Sequence, residues 1–302
     1  MKTSARRAAI PFIVVLLAAL AAAGWLTLVR EAPADARMKF DHKQAYKYVR
    51  RLVAFGPRVQ GSAGEAAAAE YLRRELTRYG YSVELQPFAI PGDGTGHNVV
   101  ARRRGGTAGS RWLAIGAHYD TVAGTVGAND NGSGTAVALE LARVLSDADL
   151  PYSLRFVFFS AEEERNPRRV AYSGSMAYVA SLTRAERRAS LGYINIDMVG
   201  WRGAIYIGNL RPADQSLYNL TARIAAARRA PMVFSTRYSV DEGDHQSFKK
   251  AGIPTVSLGA LDYPYRHKPS DNLAKIRPRR LEAIGELTVN VLQAQAKRLG
   301  HD

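Results

Sequence analysis

The chemistry-bearing residues of this 302-residue chain stand at the ends of apolar runs. RWLAIGAH, residues 111–118, finishes in His118, and Asp120 and Asp130 follow within the glycine-rich stretch GAHYDTVAGTVGANDNGSG. SLRFVFFSA ends in Glu162, Glu163 and Glu164, LGYINID ends at Asp197, and PTVSLG leads into a loop that ends at His267. Apolar strands that each finish in an acid or a histidine at one edge bring these groups together. Carboxylates gathered in that way repel one another and are costly to desolvate unless a cation or protons compensate. A pair of divalent ions resolves the conflict: one aspartate bridges both, a histidine and a further carboxylate complete each protein shell, and water fills the open position. On that scheme His118 and Asp197 serve one ion, Glu163 and His267 the other, and Asp130 bridges. Asp120 is expected to accept from His118 and hold its imidazole in the metal-binding tautomer. Zinc, cobalt and manganese all accept such ligands.

The elements that must position these groups can be read from periodicity. Asp41 caps a helix running to about Ala54, and Ser62 with Glu65 forms an S-x-x-E capping box for a helix from Ala63 to Tyr79 that stops at Gly80. Beyond it, YSVELQPF, HNVVARRR, RWLAIGAH, SLRFVFFSA, LGYINIDMV and PTVSLG read as strands, separated in places by helical stretches such as GSGTAVALELARVL and GSMAYVASL. The fold class is α/β: a mixed, mostly parallel central sheet with helices on both faces, where ligands bind at the carboxyl ends of the strands. One catalytic domain over residues 38–302 is expected. Asn129, Asn131 and the glycines around them suit a tight turn that aims Asp130.

Composition narrows the partners. There is no cysteine, so disulfides, thiolate metal sites and a cysteine nucleophile are excluded. The formal charge is +15, but the basic residues are scattered; the densest runs, RRRG at 102–105 and RPRR at 277–280, lack aromatic interleaving, and no nucleic-acid partner is expected. Residues 8–29, AAIPFIVVLLAALAAAGWLTLV, carry no charge and have the length of a bilayer-spanning helix. Lys2, Arg6 and Arg7 precede it, which keeps the N-terminus in the cytoplasm and sends the rest outside. Residues 1–37 therefore read as a signal-anchor and linker, with a cleaved leader as the alternative. Either way the catalytic portion is exported, bound to the membrane through its N-terminal helix or released.

GAHYD, GANDNGSG, FSAEEE, NIDMVG, GDHQSFKKAGIP and PYRHKPSDN, with FGPRVQGSAG and an Asn-Val-Val-Ala strand before them, together resemble the co-catalytic zinc aminopeptidases, whose fold is shared by glutaminyl cyclases. The resemblance spans about residues 50 to 275. It implies metal ligation by His118, Asp130, Glu163, Asp197 and His267, and gives Glu162 the part of general base. Chemistry supports that role independently, because amide hydrolysis needs a nucleophile at neutral pH and an acid for a poor leaving group, and one carboxylate beside the metals does both transfers. A third glutamate leaves a register alternative, in which Glu163 and Glu164 hold these roles. The chain departs from the pattern at Arg266, where some relatives carry a tyrosine that donates to the oxyanion; Tyr263, Tyr265 or Arg266 are the candidates for that contact here. His245, after Asp244, reads as a substrate contact or as a structural residue, whereas His42, His97 and His301 read as structural or surface residues.

The function implied is a zinc-dependent aminopeptidase acting on peptides with a free N-terminus, whose amine the acidic edge would receive. Cyclisation of N-terminal glutamine on the same scaffold is the alternative enzyme reading. A membrane-anchored receptor or scaffold on an inactive peptidase fold is a third, disfavoured by the presence of all five ligands and the base.

Overall fold

The computed structural model describes residues 38–90, 94–106, 111–163, 172–208, 215–228, 232–235, 243–260 and 262–300. The expected membrane segment and linker over residues 1–37, and Glu164 of the register alternative, lie outside them. Among the described residues no helix is long and apolar enough to cross a membrane.

Eight strands form one sheet in the order β1-β2-β4-β3-β5-β8-β6-β7. They are β1 (Ser82–Ile90), β2 (Gly94–Arg103), β3 (Trp112–His118), β4 (Ser153–Phe159), β5 (Ser190–Asp197), β6 (Ile205–Gly208), β7 (Met232–Ser235) and β8 (Thr255–Gly259). The middle of the sheet is parallel: β3 pairs in that sense with β4 and β5, and β5 with β8. Antiparallel pairing joins β1 to β2, β2 to β4, and β6 to β8. Every residue of β3 is buried, as a strand covered on both faces requires.

Side chains alternate across the sheet and so divide the core in two. Leu113 and Ile115 of β3, Phe156 and Phe158 of β4 and Ile194 and Ile196 of β5 share the larger core. That core also takes in Leu52 of α1 (His42–Val53), Leu72 of α2 (Ala63–Arg78), Leu141 of α3 (Gly132–Val144) and Leu281 of the C-terminal helix Pro278–Leu299. Trp112, Val157, Phe159 and Tyr193 point the other way, towards Tyr178 of α4 (Ser173–Ser181) and Phe248, which stacks on Tyr193 with ring centroids 3.9 Å apart. Helices therefore cover both faces.

The expected caps are present with one difference. Asp41 accepts from the Lys43 amide at 2.8 Å, and Ser62 accepts from the Glu65 amide at 3.2 Å. The return half of the S-x-x-E box is absent, because the Glu65 carboxylate accepts from the Gly61 amide at 2.5 Å and from the Ser160 hydroxyl instead of from Ser62.

Candidate active site

His118 is the last residue of β3 and Asp197 the last of β5, while Glu162 and Glu163 follow β4 by three and four residues. Parallel pairing puts these ends on one edge. Asp130 comes from the loop before α3, and His267 from the loop after β8. His118 Nε2 lies 3.5 Å from Asp130 Oδ1, 3.5 Å from Asp197 Oδ1 and 3.9 Å from Glu162 Oε2. His267 Nε2 lies 2.8 Å from Glu163 Oε2 and 3.3 Å from Asp130 Oδ2. Asp130 thus stands between two histidine–carboxylate pairs.

These groups are held rather than hung. Asp120 faces His118 Nδ1 at 3.4 Å with one oxygen and accepts from the Glu163 amide at 3.1 Å with the other. Asn131 caps α3 through the Gly134 amide at 2.9 Å, accepts from the Met198 amide at 3.2 Å and donates to Ile196 O at 2.9 Å, which ties the α3 terminus to the end of β5. Asn129 accepts from the Gly200 amide at 2.7 Å. Three non-glycine residues at the site have left-handed backbone, Ala161 (φ 56), Met198 (φ 52) and His267 (φ 60). Each such residue costs about 1–3 kcal/mol and persists only where its surroundings over-determine it.

Two residues absent from the expected ligand and substrate set complete the framework. Asp271 is fully buried, accepts from the amides of Asn129 at 2.9 Å and Asp130 at 3.0 Å, and accepts from Tyr263 Oη at 2.7 Å. Arg58, also fully buried, donates to the carbonyls of Tyr119 (2.7 Å), Val126 (2.7 Å) and Gly127 (3.0 Å), so it gathers the loop between His118 and Asp130. Both lie in motifs visible in the sequence, HKPSDN and FGPRVQ, but neither follows a strand and no period marks it.

The four oxyanion and substrate candidates separate. Tyr263 has its hydroxyl proton on Asp271, and so is a supporting residue rather than a free donor. Tyr265 packs edge-on to Trp201, with Lys275 Nζ 3.9 Å above its ring. Arg266 reaches the cluster, its Nε 3.6 Å from Asp130 Oδ2. His245 is buried as the first residue of the short helix His245–Lys250, with Nε2 3.1 Å from Gln246 Nε2.

The electrostatics ask for positive charge. Burial opposes protonation of His118, yet Glu162, Asp120, Asp130 and Asp197 around it prevail and raise it well above its ordinary value. Burial likewise opposes a charged His267, but Asp130 and Glu163 bring it up to about 9. Burial, with Asp130 beside it, pushes Glu163 up to about 7. Burial pushes Glu162 well above the carboxylate range against the pull of His118, and Glu163, Asp244 and Asp197 add to the rise. Asp130 Oδ2 and Asp197 Oδ1 are buried without a hydrogen-bond partner among the described residues. Donor atoms of His118, Glu162 and Asp197, and of His118, Asp130 and Glu163, lie within 4.8 Å of one another. Imidazole and carboxylate donors at this spacing, with orphaned oxygens turned inward, fit divalent metal ions.

Residues 98–292 match the sequence pattern of peptidase family M28. Leupeptin-inactivating enzyme 1 of Streptomyces exfoliatus is 35% identical over 211 residues, covering 69% of this chain and 46% of that protein. The chain thus spans about half the length of that curated relative. The structure of BSAP, a zinc aminopeptidase from Bacillus subtilis, superposes with a TM-score of 0.78 at 20% identity, over 85% of this chain and 96% of that one. Porphyromonas gingivalis glutaminyl cyclase superposes with a TM-score of 0.72 at 26% identity, over 85% and 99%. Since the family match runs unbroken from β2 into the C-terminal helix and contains every strand that ends in a site residue, the chain belongs to peptidase family M28.

Proposed function

We propose that the chain is a metal-dependent aminopeptidase that removes the N-terminal residue of peptides. In this reading His118 and Asp197 would hold one zinc ion and Glu163 and His267 a second, and Asp130 would contribute its carboxylate to the site. The observation that carries it is the place of Glu162, buried 3.9 Å from His118 Nε2 within the cluster that it forms with His118 and Asp197. When bound, the ions make a water acidic enough to attack an amide carbonyl at neutral pH and polarise that carbonyl. In this reading Glu162 takes the proton of the attacking water and passes it to the leaving amine, the two transfers that amide hydrolysis requires of one carboxylate beside the metal site. Asp120 keeps the His118 ring turned into the site. Arg266, whose Nε lies 3.6 Å from Asp130 Oδ2, is the guanidinium available to the carbonyl oxygen.

The similarity to a solved glutaminyl cyclase keeps a second reading in view, cyclisation of an N-terminal glutamine with loss of ammonia. Location belongs to the same proposal. The uncharged residues 8–29 behind Lys2, Arg6 and Arg7 would carry the catalytic domain out of the cytoplasm and tether it to the membrane.

The test is turnover of a panel of aminoacyl amides and a glutaminyl peptide, with and without chelator, beside Glu162→Gln. Zinc-dependent release of the free N-terminal residue is expected, with kcat lower by ~10²–10⁴ in Glu162→Gln at unchanged metal content. Reaction of the glutaminyl peptide alone, to a cyclic product, would establish the second reading in its place.

A further inference from the structure

We infer that Glu65 is a positioning residue for the base: through the Ser160 hydroxyl it fixes the turn that carries Glu162 and Glu163. What Glu162 does rests on the proposed function; what Glu65 does rests on geometry.

Glu65 sits in the first turn of α2, where an exposed glutamate would complete a helix cap at no desolvation cost. It is instead only 7% exposed. One oxygen accepts from the Gly61 amide, and the other accepts from Ser160 Oγ, 95 residues further along the chain. Burying a carboxylate is unfavourable, and here burial pushes the Glu65 carboxyl up to about 7 even though Ser160 and Gly61 both donate to it. Nothing in α2 requires that penalty. The helix cap is already supplied by Ser62.

Ser160, fully buried, begins the turn at the end of β4. Its amide faces Asn98 Oδ1 at 3.4 Å, and the turn closes where the Glu163 amide donates to Asp120. Three side chains from separate parts of the chain thus hold the two ends, Ser160 and Glu163, of a four-residue stretch. Each of the three has a second contact: Asn98 also donates to Gly174 O at 2.8 Å, Asp120 faces His118, and Glu65 also accepts from the Gly61 amide. Glu65 grips the Ser160 side chain. Between Ser160 and Glu162 stands Ala161 at φ 56, a conformation that an alanine leaves when it is not constrained. Releasing Ser160 lets Ala161 relax, and the residue that swings with it is Glu162.

The experiment compares Glu65→Gln, Ser160→Ala and the double variant in the full-length zinc-loaded chain, by kcat, KM, zinc affinity in chelator competition, and Tm. Glutamine keeps the length but has a single acceptor oxygen for the two donors. Each single variant is expected to lose about 10- to 100-fold in kcat with KM changed by less than about twofold, and to hold zinc about tenfold more weakly because Glu163 rides on the same turn. The double variant is expected to be no worse than either single one, since both remove the same contact. Wild-type kcat and zinc affinity in both single variants would overturn the inference. So would losses that add in the double variant, or a lowered Tm with kcat and zinc affinity intact. If the wild-type chain cleaves no aminoacyl substrate, the functional reading falls, and the zinc-affinity arm still decides the part played by Glu65.

Discussion

Asp130 meets both histidines, so the site depends on where its short side chain is aimed. Asp271 does the aiming, by accepting from the Asn129 and Asp130 amides with its two oxygens. Asp271→Asn keeps the shape but has one acceptor for two amides, and zinc affinity is expected to fall ~10- to 100-fold in chelator competition, as for other groups that orient ligands. Tyr263→Phe, which removes one donor and leaves that carboxylate in place, is expected to lose far less. Equal losses in the two variants would show that the Tyr263 hydroxyl, and not the amide pair, sets Asp130. The contrast also marks what a sequence discloses. His118, Asp197, Glu162 and Glu163 could be found because each ends an apolar strand, whose direction says where the side chain arrives. Asp271 and Arg58 act through backbone amides and carbonyls of loops distant in sequence, and such long-range hydrogen bonds, unlike a helix cap, leave no local pattern in residue types.

Among the elements, the strands that carry the site were legible from their apolar runs, and so were α1 to α4. The β6 and β7 strands, four residues each, lack the length for a periodic signal, and they lie at the edge away from the site. The S-x-x-E motif was half legible, since a spacing can name the capping serine but not the distant Ser160 that claims its glutamate. The close approach of α3 to β5 leads to a further expectation. A Cβ at Gly134 would collide with Ile196 O and the Asn131 side chain, the groups that seat the helix on the strand end. Gly134→Ala should therefore push α3 off β5 and separate Asp130 from Asp197, lowering stability by about 1–3 kcal/mol in urea unfolding and weakening zinc binding with it. An unchanged zinc affinity in a destabilised protein would show that the two ends are set independently.

In the whole molecule, β4 follows β3 on one side and β5 returns on the other, so the site occupies the point where the strand order reverses. Stability should report its occupancy. In the metal-free protein His267 titrates at about 9, above its ordinary 6.5, so the stability it contributes is complete below pH 6.5 and is lost as pH rises through 9. Glu163, at about 7 against an ordinary 4.5, acts in the same direction between those values. Zinc needs both groups deprotonated and so gains where the metal-free protein weakens. The difference in Tm between zinc-loaded and chelated protein is expected to widen steadily from pH ~5 to ~9; a flat difference would remove His267 and Glu163 from the ligand set.

The order in which the site is made follows from the order of the strands. His118 and His267 lie at opposite ends of the family match, and Asp130 meets both only after β3, β5 and β8 have paired across the middle of the sheet. No hairpin and no single helix brings both histidine–carboxylate pairs together, so a half-folded chain has no tight place for metal. Pairings so distant in sequence form slowly. Metal uptake would then be the final event in the maturation of the chain, and a kinetic trace of bound zinc would serve as a clock for completion of the sheet.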